Sequence, residues 1–145
     1  MTDFPPPEKL LPHRGNMLLV HQLECVDLES MRSSALAQLG EDCLFYDSAK
    51  GCLPTEISIE IMAQGVGLLT CYRDYLQGTP PVESAMLLSV KKYAVYCEGI
   101  PANTLLRTTN EIAMEDGPIG VYNCELYRAE DSTLLAQAEL TAYKP

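Results

Sequence analysis

The sequence predicts an α+β fold in which a long central helix is wrapped by a curved antiparallel β-sheet. Two β-like runs precede one helical stretch that is apolar around most of its circumference, and about four strand-like runs follow it. The breaks after the helix are rich in Gly, Pro, Asn, Asp or Ser. A helix without a polar face must be buried, and fold rules place a single such helix on one face of an antiparallel sheet.

Residues 4–12 open with Pro5-Pro6-Pro7 and continue as Glu8-Lys9-Leu10-Leu11, which suits one short helical turn ending before Pro12. Residues 17–26 and 31–39 read as two strands, and residues 40–53 as irregular chain. Pro54 and Thr55 start the helix, with Thr55 as N-cap and Glu56 favouring the positive end of the helix dipole. Ile57, Ile61, Leu68 and Tyr72 share one face, while Ile59, Met62, Val66 and Leu69 widen the apolar surface. Ala63, Gly65 and Gly67 thin the middle of this helix. Each glycine costs roughly 1 kcal/mol against alanine, so the thinning calls for a close neighbour. The helix is expected to stop near Gln77-Gly78, ahead of Pro80-Pro81, and residues 85–97, 104–114, 119–128 and 134–143 complete the sheet.

A length of 145 residues with 47% hydrophobic content suits a single domain over residues 1–145. Asp3, Glu8 and the prolines leave no positive start or apolar run for an export signal. No membrane span is expected either, because Glu56, Glu60 and Arg73 interrupt the most apolar stretch. Cys25, Cys43, Cys52, Cys71, Cys97 and Cys124 are scattered through apolar segments, as free thiols of a reducing cytoplasm would be. With no Cys-x-x-Cys pair and two histidines, neither a metal nor a cofactor is expected. The net charge of −10 argues against nucleic acid. It also opposes an acidic protein partner, unless the few basic residues gather at one mouth. Arg14, Arg73, Lys91 and Lys92 are the candidates for that, although such residues more often form a solvated face.

Two motifs on these elements carry a resemblance. Leu10-Leu11-Pro12-His13-Arg14 leading into Met17-Leu18-Leu19-Val20, and Ile59-Glu60-Ile61-Met62-Ala63-Gln64, together resemble the β-hydroxyacyl-carrier-protein dehydratases of bacterial fatty acid synthesis. The resemblance implies a hot-dog fold whose units pair and build active sites between them. It implies an acyl thioester carried by an acyl carrier protein, and a homodimer or a heterodimer with a paralogous dehydratase. Members of that family place a catalytic histidine in a Gly-His-Phe-Pro-Gly segment ahead of the helix. Counting back from Glu60 puts Tyr46 at that position, and the Pro-Gly of the helix start is altered to Pro54-Thr55. This combination looks like the histidine-lacking group that includes accessory dehydratase subunits of aryl polyene pathways. Three functions follow from it: dehydration of a 3-hydroxyacyl thioester, non-catalytic partnership with an active dehydratase, and thioester hydrolysis with Glu60 or Asp47 activating water.

Dehydration needs a base for the α-proton, an acid for the departing hydroxyl and polarisation of the carbonyl. Glu60 is the candidate acid if burial raises its pKa; the alternative is a structural carboxylate bonded to Gln64 one turn on, or to a neighbouring strand. His13, in the loop after Pro12, is the candidate base ahead of the mid-strand His21, although a histidine in either place is more often a surface or hydrogen-bonded one. Tyr46 is a candidate hydrogen-bond donor. Backbone amides near Thr55 and Glu56 are candidates for polarising the carbonyl. Gln64, Ile57 and Ile61, with the strand residues Met86 and Leu88, are candidates for the acyl site, and the apolar ones are more often plain core, since a helix against a sheet needs apolar partners in either case. Cys43 and Cys52 flank the region as thiols.

Overall fold

The computed structural model describes residues 3–81 and 83–145. A helical turn, α1 (Pro7–Leu10), takes its start from the fixed φ of the preceding prolines. A 3₁₀ turn over Gly15–Met17 follows, with Gly15 at φ +58°. Strands β1 (Val20–Asp27) and β2 (Arg32–Ala37) pair as a hairpin, and α2 (Ile57–Leu76) comes next. Strands β3 (Met86–Val95), β4 (Leu106–Asp116), β5 (Ile119–Arg128) and β6 (Thr133–Tyr143) complete one antiparallel sheet of order β1-β2-β4-β5-β6-β3. The α+β expectation therefore holds, with α2 lying across one face of the sheet.

The inward residues of alternating strands meet the helix. Ala35, Ala37, Leu106, Leu126, Ala136 and Leu140 pack with Ile61, Met62 and Leu68 in one core. The close neighbour demanded by the thin helix is β4. A Cβ on Gly65 would stand 2.3 Å from Asn110 Oδ1 and 2.7 Å from Thr108 Cγ2. Asn110 uses this approach to donate from Nδ2 to the carbonyl of Met62 at 3.0 Å. Gly67 makes room for Leu11 of the amino-terminal segment in the same way.

Two local expectations are corrected. Thr55 does not cap the helix. Glu56 occupies the cap position without a side-chain bond, because the amides of Ile57, Ser58 and Ile59 already bond to the carbonyls of Pro54, Thr55 and Glu56. The first strand begins at Val20, three residues later than its apolar run, since the amides of Leu19 and Val20 bond to the side chain of Gln64. All six cysteines are free. No helix among the described residues is long and apolar enough to cross a membrane.

Candidate functional site

Three side chains from two elements meet where the amino-terminal segment crosses α2. His13 Nε2 lies 3.6 Å from Glu60 Oε1, an ion-pair distance rather than a hydrogen bond. Glu60 Oε1 accepts a hydrogen bond from Gln64 Nε2 at 3.2 Å. Gln64, only 1% exposed, spends its whole amide here. Its second donated bond goes to the carbonyl of Met17 at 2.7 Å, and its Oε1 accepts the amides of Leu19 and Val20 at 2.8 and 3.3 Å. Arg14 secures the turn that carries His13 by donating to the carbonyls of Leu11 and His13 at 2.6 and 2.7 Å. His13 Nδ1 is sealed from solvent and has no partner among the described residues.

A cavity of about 160 Å³ opens beside this pair. His13 and Glu60 stand at one end, Ala63, Val66, Met86 and Leu87 form apolar walls, and Thr70, Cys71, Tyr122 and Lys144 close the other end. The side chain of Glu60 stays 38% exposed, so the Gln64 bond does not shut it away from the cavity. The facing His13 holds the carboxyl of Glu60 below its ordinary 4.5, against the upward pull of partial burial, and the Gln64 bond adds to the lowering. This reverses the expected direction and makes Glu60 a carboxylate near neutral pH. A larger hollow of about 680 Å³ lies between the amino-terminal segment and β1. Burial pushes its histidine, His21, towards the neutral form; of its two acids, Glu24 is bonded to Arg107 and Ser34, and Asp3 is exposed.

The remaining sequence-predicted residues sit elsewhere. Ile57 and Ile61 are in the core, and Leu88 is exposed on β3. The Thr55 carbonyl accepts bonds from the hydroxyls of Ser58 and Tyr93 at 2.6 and 3.0 Å, and Thr55, Glu56 and Gln64 do not line the cavity. Tyr46 packs against the core from the loop before α2, and its hydroxyl makes no hydrogen bond among the described residues. Cys43 and Cys52 are half-buried. Of the basic residues, Arg73 is bound in a fork by Glu115 and Lys92 faces Glu139 at 3.4 Å, while Lys91 makes no ion pair among the described residues. Sequence reading passed over Tyr122 and Lys144. The signal available for Tyr122 was its place in the inward alternation Tyr122, Cys124, Leu126, a polar tip among core positions.

A long helix laid across an antiparallel sheet, with an acid on the helix at the mouth of a cavity, defines the hot-dog class. Within that class the chain matches over residues 5–145 the family described as ApeP-like, ApeP dehydratase, and it belongs to that family. Among solved structures it is similar to the dehydratase heterocomplex ApeI:P of Xenorhabdus doucetiae, with TM-score 0.90 and 21% identity over 99% of this chain and 93% of that one. It is also similar to a hypothetical thioesterase with coenzyme A from Streptococcus pneumoniae, with TM-score 0.63 and 12% identity over 86% and 84% of the two chains. A third is the PaaI protein of the phenylacetic acid degradation operon of E. coli, with TM-score 0.63 and 9% identity over 84% and 81%. At these identities the likenesses speak to the fold. A comparison with curated protein sequences found no match.

Proposed function

We propose that the chain binds acyl thioesters delivered by an acyl carrier protein and serves as a subunit of a 3-hydroxyacyl dehydratase in fatty acid or polyene synthesis. The observation that carries this reading is the pair His13–Glu60 at one end of a cavity with apolar walls. His13 takes the proton from the carbon next to the thioester carbonyl on Nε2, the ring nitrogen that is not sealed from solvent, since an imidazole nitrogen both accepts and returns a proton. Glu60, as carboxylate 3.6 Å from that nitrogen, stabilises the imidazolium that forms. The imidazolium then gives the same proton to the hydroxyl on C3. The C3–O bond breaks, water leaves and a double bond remains between C2 and C3.

Heterodimer formation with a histidine-bearing paralogue is supported by family membership and by the likeness to a chain of a dehydratase heterocomplex. Tyr46, standing where the resemblance expects a histidine, favours a second reading, in which this chain holds acyl groups without turning them over. The test supplies a 3-hydroxyacyl carrier thioester to the chain alone and mixed with such a paralogue, and follows the products by mass spectrometry. Dehydration by the chain alone that fails in both Glu60→Gln and His13→Ala supports the catalytic reading. Activity of the mixture that is indifferent to these substitutions favours the non-catalytic one, and release of free acid favours thioester hydrolysis. If acyl thioesters neither bind nor react, the proposal fails.

A further inference from the structure

The imidazole of His13 is brought to α2 by a segment that belongs to neither the long helix nor the sheet, so its place depends on what fixes that segment. One fixed point lies just two residues earlier. Leu11 is 3% exposed and lines the same cavity as His13 and Glu60. Its side chain occupies the space beside Gly67, where a Cβ would stand 2.7 Å from Leu11 Cδ2. Two carbons in contact keep about 3.5–4.0 Å apart, so the bare glycine forms a notch and Leu11 is its occupant. Gly67 lies two turns beyond Glu60 on one face of α2. Leu11 at Gly67 and His13 at Glu60 are therefore two contacts of one segment with one helix face.

The chain between these contacts has little freedom. Leu11 is extended, at φ −102° and ψ 151°, the conformation that a following proline imposes. The ring of Pro12 locks the next φ. Arg14 Nη1 spans the unit by donating to the carbonyls of Leu11 and His13 at 2.6 and 2.7 Å. The Leu11 amide donates to the carbonyl of Pro7 at 2.8 Å, which ties the unit to α1. Gln64 acts on the other side of His13, at Met17. A displacement of Leu11 is thus carried to the imidazole instead of being absorbed on the way.

We propose that Leu11 is a positioning residue for the candidate base, and that its seat in the Gly67 notch sets where His13 stands against Glu60. This rests on the His13–Glu60 reading of the site. The groups facing Glu60 are His13 from the amino-terminal segment and Gln64 from its own helix, while Cys71, Tyr122 and Lys144 line the far end of the cavity. His13 is the largest cause of the lowered Glu60 carboxyl, and burial pulls it the other way. Withdrawing the imidazole therefore moves the carboxyl upward, which makes its titration a gauge of the position of His13.

The test follows the Glu60 carboxyl of the full chain by NMR titration without ligand. Wild type is expected to titrate below 4.5. Leu11→Ala, which empties the notch, and Gly67→Ala, which crowds it, are both expected to raise the midpoint towards 4.5 or beyond. Leu11→Met refills the notch and is expected to keep the wild-type value. Leu126→Val, a truncation in the core on β5, is expected to leave it in place as well, which separates positioning from a general loosening of the fold. Should Leu11→Ala fail to fold, Gly67→Ala decides alone. An unchanged midpoint in these two variants, or an equal rise in Leu126→Val, overturns the inference and leaves the His13–Glu60 pair standing. A wild-type midpoint at or above 4.5 overturns both.

Discussion

At the scale of single residues, Gln64 does two things at once. Its amide orients the carboxylate of Glu60, and it also meets backbone groups of Met17, Leu19 and Val20 where the chain enters β1. Gln64→Ala leaves those buried groups without partners and is expected to lower stability by about 2–4 kcal/mol, read as a shift of the urea midpoint at constant slope. Glu60 makes a pH-dependent contribution. Its folded pKa lies below the unfolded one, so its stabilisation is present above about pH 4.5 and fades as pH falls through the folded value. Denaturation midpoints of wild type and Glu60→Gln should therefore converge on acidification below that point, and curves that stay parallel would remove the His13 contact as the cause. Glu60 stood out in sequence because an acid on an apolar helix needs a reason. The direction of its pKa did not, because it depends on His13, which is distant in the chain and is brought alongside only by the folded segment. Tyr122 was hidden for the opposite reason, since a tyrosine in an inward strand alternation looks like ordinary core.

At the scale of elements, the two helix glycines differ in what they face. Adding a methyl to a helix interior normally stabilises it by about 1 kcal/mol relative to glycine. Gly65→Ala is expected to reverse that sign and destabilise by about 1–3 kcal/mol, because the methyl meets Asn110 and Thr108 on a strand held by neighbours on both sides. Gly67→Ala meets only the end of the Leu11 side chain and is expected to stay within about 1 kcal/mol of wild type. Chemical denaturation of the two variants side by side checks the contrast. The spacing of the apolar residues made α2 and the strands legible to within a few residues, and the glycines announced that something approaches. Which strand approaches was not legible, because β4 reaches its place beside β2 only after the chain has crossed to the opposite edge as β3. The helix start was misjudged because Thr55 satisfies every local rule for a cap, while turn bonds from the preceding carbonyls had already taken the donors it would serve.

At the scale of the molecule, the two edges of the sheet are treated differently. The proline segment lies along β1, whereas β3 leaves Met86, Leu87 and Leu88 exposed on an unpaired edge. A long apolar edge invites another chain. The protein, or its complex with a paralogue, is expected to sediment as a dimer, and Leu88→Lys should weaken that association by on the order of tenfold or more without loss of β-sheet signal. A monodisperse wild-type monomer that finds no partner would take this edge out of any interface. Such pairing would not alter the ownership of the imidazole and the carboxylate, which both come from one polypeptide. Under the proposed mechanism, two differently damaged copies, one lacking His13 and the other lacking Glu60, are expected not to complement each other when co-expressed. Any recovery of activity in cells carrying both alleles would mean that the working pair is divided between molecules.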